Sequence, residues 1–174
     1  MRKMILYIAC SLDGYIARTD GSVDWLYTDA DYGYSDFYIS VDTVIMGRKT
    51  YQKILGAGEF PYQGKECFVI SRSRAGSRDR NVQYPTDDLK VFVGAKKAEA
   101  GKNIWLVGGG ELTRELLQLQ LIDEIMLYVH PLILGAGIPL FRGLPSARNL
   151  TLLGCQPHTN GLVELHYACT FSAH

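Results

Sequence analysis

A run of three glycines is the most chemically informative part of this sequence. Gly108 to Gly110 follow an apolar run that ends at Val107, and a helical pattern begins with Glu111 and Leu112. Glycine has no Cβ, so its backbone N–H groups can approach a ligand closely, and the start of a helix carries partial positive charge. The segment predicts a phosphate or pyrophosphate site. A plain glycine turn is the alternative, because the run does not match the G-x-G-x-x-G pattern.

Basic and hydroxyl side chains stand at the start of a second predicted helix. The apolar residues 44–46 end at Gly47, and Arg48, Lys49 and Thr50 follow. Positive charge is unfavourable at the electropositive start of a helix unless an anion binds there. A bound phosphate would be stabilised by the helix terminus, the Arg48 guanidinium and the Thr50 hydroxyl together. A solvated helix start fits the same pattern.

A third apolar run also ends in hydroxyl and guanidinium groups, at Ser71 and Arg72. The carboxyl ends of parallel strands lie along one edge of a sheet, which is where ligands bind. The three segments are therefore predicted to line one rim and to hold an extended ligand with several phosphates. For residues 71–74 alone, an ordinary polar loop is the alternative.

Strand-like runs alternate with helical patterns along the chain, which predicts an α/β sheet covered on both faces. Residues 87–99 are ambiguous, because Val91 to Val93 favour a strand whereas Thr86, Asp87 and Asp88 favour a helix start; the helix is preferred. Helices are predicted at residues 32–41, 48–55, 87–99 and 111–121. Strands are predicted at residues 3–10, 43–46, 66–71, 82–84, 103–107, 124–130, 150–155 and 163–171.

Composition limits the possible functions. The chain has 174 residues, 47% of them hydrophobic, which suits one domain over residues 1–174. Eighteen basic and eighteen acidic residues give a formal net charge of zero, so we expect no nucleic-acid or membrane partner, and any anion site must be local. The four cysteines are widely spaced, which predicts free thiols in a cytoplasmic protein and no metal site. No apolar run approaches the length of a membrane span.

Several segments in order resemble the dihydrofolate reductase-like superfamily: residues 11–17, 46–51 and 107–112. Residues 122–125, 130–131 and 134–141 are similar to the reductase domain of bifunctional riboflavin biosynthesis proteins. The resemblance spans nearly the whole chain. It implies a three-layer α/β/α fold around a mostly parallel eight-stranded sheet with antiparallel C-terminal strands, NADPH along the strand edge, a small-molecule substrate and a homodimer.

The resemblance also implies roles for individual residues. Gly108 to Gly110 would hold the pyrophosphate and the nicotinamide ribose, with a cis peptide between Gly108 and Gly109. Ser71 and Arg72 would bind the 2′-phosphate that distinguishes NADPH from NADH. The implied cofactor-binding residues are Ala9, Ile16, Ala17, Gly47, Arg48, Lys49, Thr50, Ser71, Arg72, Val107, Gly108, Gly109, Gly110, Glu111 and Leu112.

Hydride transfer needs a group that supplies a proton or polarises the acceptor. Asp29, Asp31 and Asp36 follow Trp25 and are the predicted catalytic residues. The segment lacks the proline, and the spacing from tryptophan to acidic residue, that folate reductases use. The predicted function is an NADPH-dependent reductase of a small heterocyclic or carbonyl substrate, similar to 5-amino-6-(5-phosphoribosylamino)uracil reductase. Dihydrofolate reductase activity and a non-catalytic nucleotide- or flavin-binding protein are the alternatives.

Other polar and aromatic residues have structural interpretations. Asp13 lies in a Leu-Asp-Gly turn, where a backbone-bonding role is preferred to catalysis. Rings near the first predicted helix either stack on a heterocycle or pack in the core, and packing is preferred for most of them. A substrate phosphate would need a further basic residue, and Lys53, Arg142 and Arg148 are the candidates.

Overall fold

Nine strands and four helices follow one another in the computed structural model, which describes residues 1–170. The strands are β1 (Met4–Ser11), β2 (Tyr15–Ala17), β3 (Val41–Gly47), β4 (Glu66–Ile70), β5 (Asn103–Gly108), β6 (Glu124–His130), β7 (Ile138–Pro139), β8 (Leu150–Pro157) and β9 (Val163–Cys169). The helices are α1 (Tyr34–Ser40), α2 (Arg48–Gly56), α3 (Leu89–Ala98) and α4 (Gly110–Gln118). Phe171, the predicted end of the last strand, lies outside the described residues.

The main sheet has seven strands in the order β4-β3-β5-β1-β6-β9-β8. Strands β4, β3, β5, β1 and β6 pair in parallel, whereas β9 runs antiparallel to β6 and β8 antiparallel to β9. The predicted parallel sheet with antiparallel C-terminal strands is therefore confirmed. Strands β2 and β7 form a separate two-stranded antiparallel sheet.

The prediction of eight strands in the main sheet is wrong, because residues 82–84 do not form a strand. Gln83 alone joins the edge strand: its carbonyl accepts from the Val69 N–H at 3.0 Å and its N–H donates to the Cys67 carbonyl at 3.0 Å. Pro85 follows two residues later and has no N–H to donate, which stops the ladder.

Helices cover both faces of the sheet and form its three layers. On one face, α3 and α4 pack against strand residues such as Leu6 and Leu106. On the other face, α1 and α2 insert Phe37 and Tyr51 beside Trp105. Side chains alternate between the faces of a strand, so each parallel strand contributes to both cores.

The preference for helix in the ambiguous segment is confirmed. Asp88 is the N-cap of α3, and its side chain accepts from the Lys90 N–H at 2.9 Å. This bond satisfies one of the free N–H groups at the helix start. The apolar residues that suggested a strand instead include Phe92 and Val93, which are buried against the sheet.

Two structural features are not found in the described part of the chain. Within residues 1–170, no helix is long and apolar enough to cross a bilayer. The same residues contain no group of three or more His, Cys, Asp and Glu side chains that could hold a metal ion. All four cysteines are free thiols.

Candidate active site

A cleft of about 1530 Å³ lies at the carboxyl ends of the parallel strands. The residues that follow three strands all line it: Gly47 after β3, Ser71 after β4 and Gly109 after β5. Ala9, near the end of β1, completes the edge. The sequence segments predicted to share one rim therefore meet in one cleft, because parallel strands end on the same side.

Bare backbone forms the floor of this cleft. The Gly108–Gly109 peptide is cis, and Gly108 has φ 111°, a conformation that favours glycine. A Cβ on Gly47 would lie 3.7 Å from the Gly108 carbonyl oxygen, and one on Gly109 would lie 3.4 Å from Thr50 Oγ1. The close approach of these segments leaves backbone groups rather than side chains facing a ligand.

Two helix N-termini point towards the same floor. Helix α2 begins after Gly47 and helix α4 begins after Gly109, and neither N-cap residue makes a side-chain capping bond. The first N–H groups of a helix have no partner within it, so both first turns can donate to an anion.

The cleft is locally basic although the chain as a whole is electrically balanced. Its three acidic residues are Asp20, Glu111 and Glu115. Its six basic residues are Arg48, Lys49, Lys53, Arg72, Arg114 and Arg142. This excess of positive charge favours a ligand that carries several negative charges.

Three of the six basic side chains already form a hydrogen bond or an ion pair within the protein. The Arg48 guanidinium donates to Ser73 Oγ at 2.9 Å, and Lys53 Nζ donates to the Gly21 carbonyl at 2.7 Å. Lys49 pairs with a carboxylate on α4. Among the residues that the structure describes, Arg72, Arg114 and Arg142 form no ion pair, so their guanidinium groups can bind an anion without breaking one.

One end of the cleft is apolar. Ile8, Ala9, Ile16, Ala17 and Leu26 line it, and the pairing of β2 with β7 holds Ala17 in a buried position. Apolar walls without charge suit an uncharged flat ring. The cleft thus combines a basic, glycine-floored part with an apolar part.

Comparison with known proteins identifies the family. The model of the RibD C-terminal domain matches residues 63–164. The chain is 45% identical over 171 residues to the uncharacterized protein YwjB of Bacillus subtilis (strain 168), covering 95% of this chain and 97% of that protein. It is 32% identical over 177 residues to the uncharacterized protein YyaP of the same organism, covering 95% and 94%. The chain belongs to the RibD C-terminal domain family.

Solved structures share the fold of this RibD C-terminal domain protein. A putative riboflavin biosynthesis protein from Shewanella sp. PV-4 superposes with a TM-score of 0.87 at 28% identity, covering 97% of this chain and 99% of that one. A deaminase/reductase from Thermotoga maritima has the same fold, with a TM-score of 0.73 at 14% identity, and covers 97% of this chain and 57% of that one. The resemblance inferred from the sequence and the three-layer fold are confirmed.

The three predicted catalytic carboxylates of this RibD C-terminal domain protein do not line the cleft. Asp29 accepts from the Tyr32 hydroxyl at 2.6 Å, and this bond lowers the pKa of Asp29, which opposes proton donation. Asp31 accepts from the backbone and hydroxyl of Ser35, and Asp36 is exposed on α1. The structure does not support these residues as proton donors in the cleft.

The position of the segment after Trp25 explains this result. The Tyr27 N–H donates to His130 Nε2 at 3.2 Å, and Asn160 donates to the Tyr32 hydroxyl. These contacts hold residues 27–32 against β6 and the loop before β9, whereas Leu26, directly after Trp25, still lines the cleft. Spacing along the chain gives no sign of these long-range contacts.

Fourteen of the fifteen residues predicted to bind the cofactor line the cleft. Gly108 is the exception, because it is buried beneath the floor. Of the three candidates for a substrate phosphate, Lys53 and Arg142 line the cleft and Arg148 does not. Their roles toward a ligand stay predictions.

Sequence reasoning missed two groups of cleft residues. Arg114 comes from the second turn of α4, and only the helical register could have indicated that it faces the cleft. Residues 137–139, for which the sequence predicted no role in a site, also line the cleft.

Asp13 and His130 are structural in this RibD C-terminal domain protein. Asp13 accepts from the N–H groups of Leu134 and Gly135 at 3.1 and 2.8 Å, so it bonds the backbone of a distant loop rather than that of its own turn. Burial lowers the pKa of His130, whose Nδ1 lies 3.2 Å from the Tyr128 carbonyl oxygen. The neutral ring, with its proton on Nδ1, satisfies both of its contacts.

Proposed function

We propose that this protein is an NADPH-dependent reductase of a small heterocyclic or carbonyl substrate. The observation that carries the proposal is the meeting of two uncapped helix N-termini and six basic side chains on a glycine floor, next to an apolar end. A dinucleotide has the same division into phosphates and an uncharged ring. Membership of a family of reductase domains supports the same activity.

The residues present fit NADPH. The N–H groups at Gly109 and Gly110 would hold the pyrophosphate, and Ala9, Ile16 and Ala17 would border the nicotinamide. Bound NADPH would supply a hydride from its nicotinamide ring. The role of the protein is to orient that ring against the substrate and to limit access of water.

A cluster after β4 fits the 2′-phosphate of NADPH. The Arg48 guanidinium and the hydroxyls of Ser71 and Ser73 are already joined, at 2.9 and 3.3 Å, and Arg72 stands beside them without a carboxylate partner in the described chain. Arginine and hydroxyl groups are the usual partners of a phosphate. The cluster supports a preference for NADPH over NADH.

We propose that the substrate is a small heterocycle or carbonyl compound of the riboflavin-pathway type, carrying an anionic group toward Arg114 or Arg142. The proton would come from water in the open cleft. Asp20 is unsuited to supply it, because the hydrogen bonds from Ser22 lower the pKa of Asp20.

The test is a titration of the purified protein with NADPH and NADH, followed by substrate addition. We expect NADPH to bind about tenfold more tightly than NADH. We expect 5-amino-6-(5-phosphoribosylamino)uracil-type compounds or simple carbonyls to cause loss of NADPH absorbance. Failure to bind either cofactor would contradict the proposal, and rapid turnover of dihydrofolate would favour the folate activity instead.

A non-catalytic nucleotide-binding protein is the second candidate. It is favoured by the position of Asp29, Asp31 and Asp36 outside the cleft. Tight binding of NADPH without oxidation by any of the tested substrates would support it.

We also propose a cytoplasmic homodimer. Strand β8 is the edge of the sheet, and it leaves Leu150, Leu152 and Leu153 40%, 54% and 51% exposed. The apolar run at residues 125–134 is also consistent with an interface in the sequence, but its β6 part lies between β1 and β9 and is explained by pairing within the chain. Gel filtration should give about twice the monomer mass of 19.4 kDa, and a monomer would contradict the proposal. Four free thiols suit a reducing compartment.

A further inference from the structure

A hydrogen bond joins the Tyr51 hydroxyl to the Asp79 carboxylate, and it belongs neither to the pairing of the sheet nor to the cleft lining. Tyr51 follows Thr50 on α2, and its ring is buried in the core. Its hydroxyl donates to the Asp79 carboxylate, 2.9 Å from each oxygen. Neither residue lines the cleft.

Asp79 organises the loop after β4. One carboxylate oxygen accepts from the N–H groups of Asn81 and Val82 at 2.9 and 3.0 Å. The other lies 3.4 Å from the Tyr84 hydroxyl, and the Tyr84 ring carries the Arg74 guanidinium 5.1 Å above it. Burial favours the neutral acid, but these hydrogen bonds favour the carboxylate more strongly and hold the pKa of Asp79 below its usual value.

The contact joins the two segments that form the proposed 2′-phosphate site. Helix α2 supplies Arg48, and the loop held by Asp79 begins with Ser71 and Arg72. The bond between Arg48 and Ser73, at 2.9 Å, is the second connection between these segments. Val82 and Tyr84, further along the loop, are buried in the same core cluster as Tyr51, whereas residues 72–76 are exposed. The position of this exposed part relative to α2 therefore depends on a small number of bonds.

We propose that Asp79 is a positioning residue for NADPH, which fixes the loop at residues 71–74 against α2 through the Tyr51 hydroxyl. The inference rests on the proposed function and deepens it. Without this connection, the hydroxyl and guanidinium groups of the loop lose their alignment with Arg48, and the binding of the 2′-phosphate weakens. NADH has no 2′-phosphate and is little affected.

Considered alone, the loss of charge in Asp79→Asn predicts the opposite change in NADPH affinity. Asp79→Asn removes a negative charge near the site of an anion, which by Coulomb attraction would tighten NADPH binding. The same variant keeps one side-chain oxygen, as a weaker acceptor, and replaces the other with an NH2 group that cannot accept from the tyrosine hydroxyls, which loosens the loop. The direction of the change in affinity therefore separates positioning from charge.

The experiment measures the dissociation constants of NADPH and NADH for the wild-type protein and three variants. Asp79→Asn and Tyr51→Phe should each weaken NADPH binding about three- to tenfold and change NADH binding less than about twofold. Tyr51→Phe changes no charge and keeps the buried ring, so it gives the answer if Asp79→Asn does not fold. Asp88→Asn is the control: Asp88 caps α3 outside the cleft, and asparagine caps as well as aspartate.

The results distinguish this inference from the proposed function. A wild-type protein that binds neither cofactor overturns both. A wild-type protein that prefers NADPH, with an unchanged or increased preference in both Asp79→Asn and Tyr51→Phe, overturns only the positioning role. Equal weakening of NADPH and NADH also overturns it, since that result indicates general loss of structure. A reduced preference for NADPH over NADH in Asp79→Asn or Tyr51→Phe, together with an unchanged preference in Asp88→Asn, supports the positioning role of Asp79.

Discussion

Lys49 Nζ lies 3.1 Å from Oε1 of Glu111, and this ion pair connects the first turns of α2 and α4 across the cleft. Both side chains are more than 80% exposed, so the pair adds little to stability. The position of the ion pair is what matters for function, because the pair lies where two helix N-termini converge on the proposed pyrophosphate site. A phosphate that enters would compete with Glu111 for Lys49.

Glu111→Gln should therefore bind NADPH more tightly. The change removes a repulsive charge and frees Lys49, and we expect a two- to fivefold lower dissociation constant, roughly, at low ionic strength. Glu59→Gln removes one negative charge outside the cleft lining and serves as the control. Weaker binding by Glu111→Gln would mean that Glu111 contacts the cofactor through its carboxylate, and would contradict the repulsive role assigned to that carboxylate here.

Arg72→Ala should reduce the preference for NADPH over NADH. Arg72 lines the cleft without an ion-pair partner in the described residues, so its removal leaves no stranded carboxylate. We expect about a tenfold loss of NADPH affinity with little change for NADH. Arg80→Ala is the matched control on the same loop, outside the cleft lining. Equal losses for both cofactors would remove the assignment of the 2′-phosphate site.

Gly110→Ala should destabilise the protein. A Cβ at Gly110 would lie 2.5 Å from the Pro139 carbonyl oxygen, so the backbone around β7 must shift at a cost of about 1–3 kcal/mol. Gly94 lies in α3 with nothing within 4 Å of its Cβ position, and Gly94→Ala should stabilise by up to about 1 kcal/mol. Thermal unfolding of the two variants should shift in opposite directions. An unchanged midpoint for Gly110→Ala would show that residues 137–139 do not pack as described.

His130 should make stability fall as the pH falls. Burial holds its pKa in the folded protein below the ordinary value of 6.5, so the unfolded chain binds the proton more readily. The contribution of His130 is complete above pH 6.5 and is lost as the pH falls through the folded-state pKa. Thermal midpoints of the wild type and His130→Gln between pH 8 and pH 5 should show a smaller decrease for the variant. Parallel decreases would exclude His130 as a source of the pH dependence.

The order of the four helices and of the seven main-sheet strands, and the rim of the cleft, could be predicted from the sequence because they follow from local patterns; the short strands β2 and β7 were not predicted. Thr86, Asp87 and Asp88 indicated the start of α3 correctly even though Val91 to Val93 favoured a strand. The glycine run and the segment after Gly47 both face the cleft, since strands that run in parallel end on one side. These features need no knowledge of distant contacts.

Long-range contacts account for what the sequence could not predict. Residues 82–84 have the composition of a strand, but only Gln83 pairs with β4 before Pro85 ends the ladder. The segment with Asp29 and Asp31 is held by His130 and Asn160, residues about one hundred or more positions away along the chain. No local pattern reports such pairings, so the predicted catalytic residues were placed by proximity to Trp25 alone.

A crystal structure of the protein with NADPH tests the central claim most directly. We expect the pyrophosphate against the N–H groups of Gly109 and Gly110, the 2′-phosphate within hydrogen-bond distance of Arg48 and Arg72, and the nicotinamide beside Ala9 and Ala17. A cofactor bound on another surface, or a cleft left empty at saturating NADPH, would contradict it.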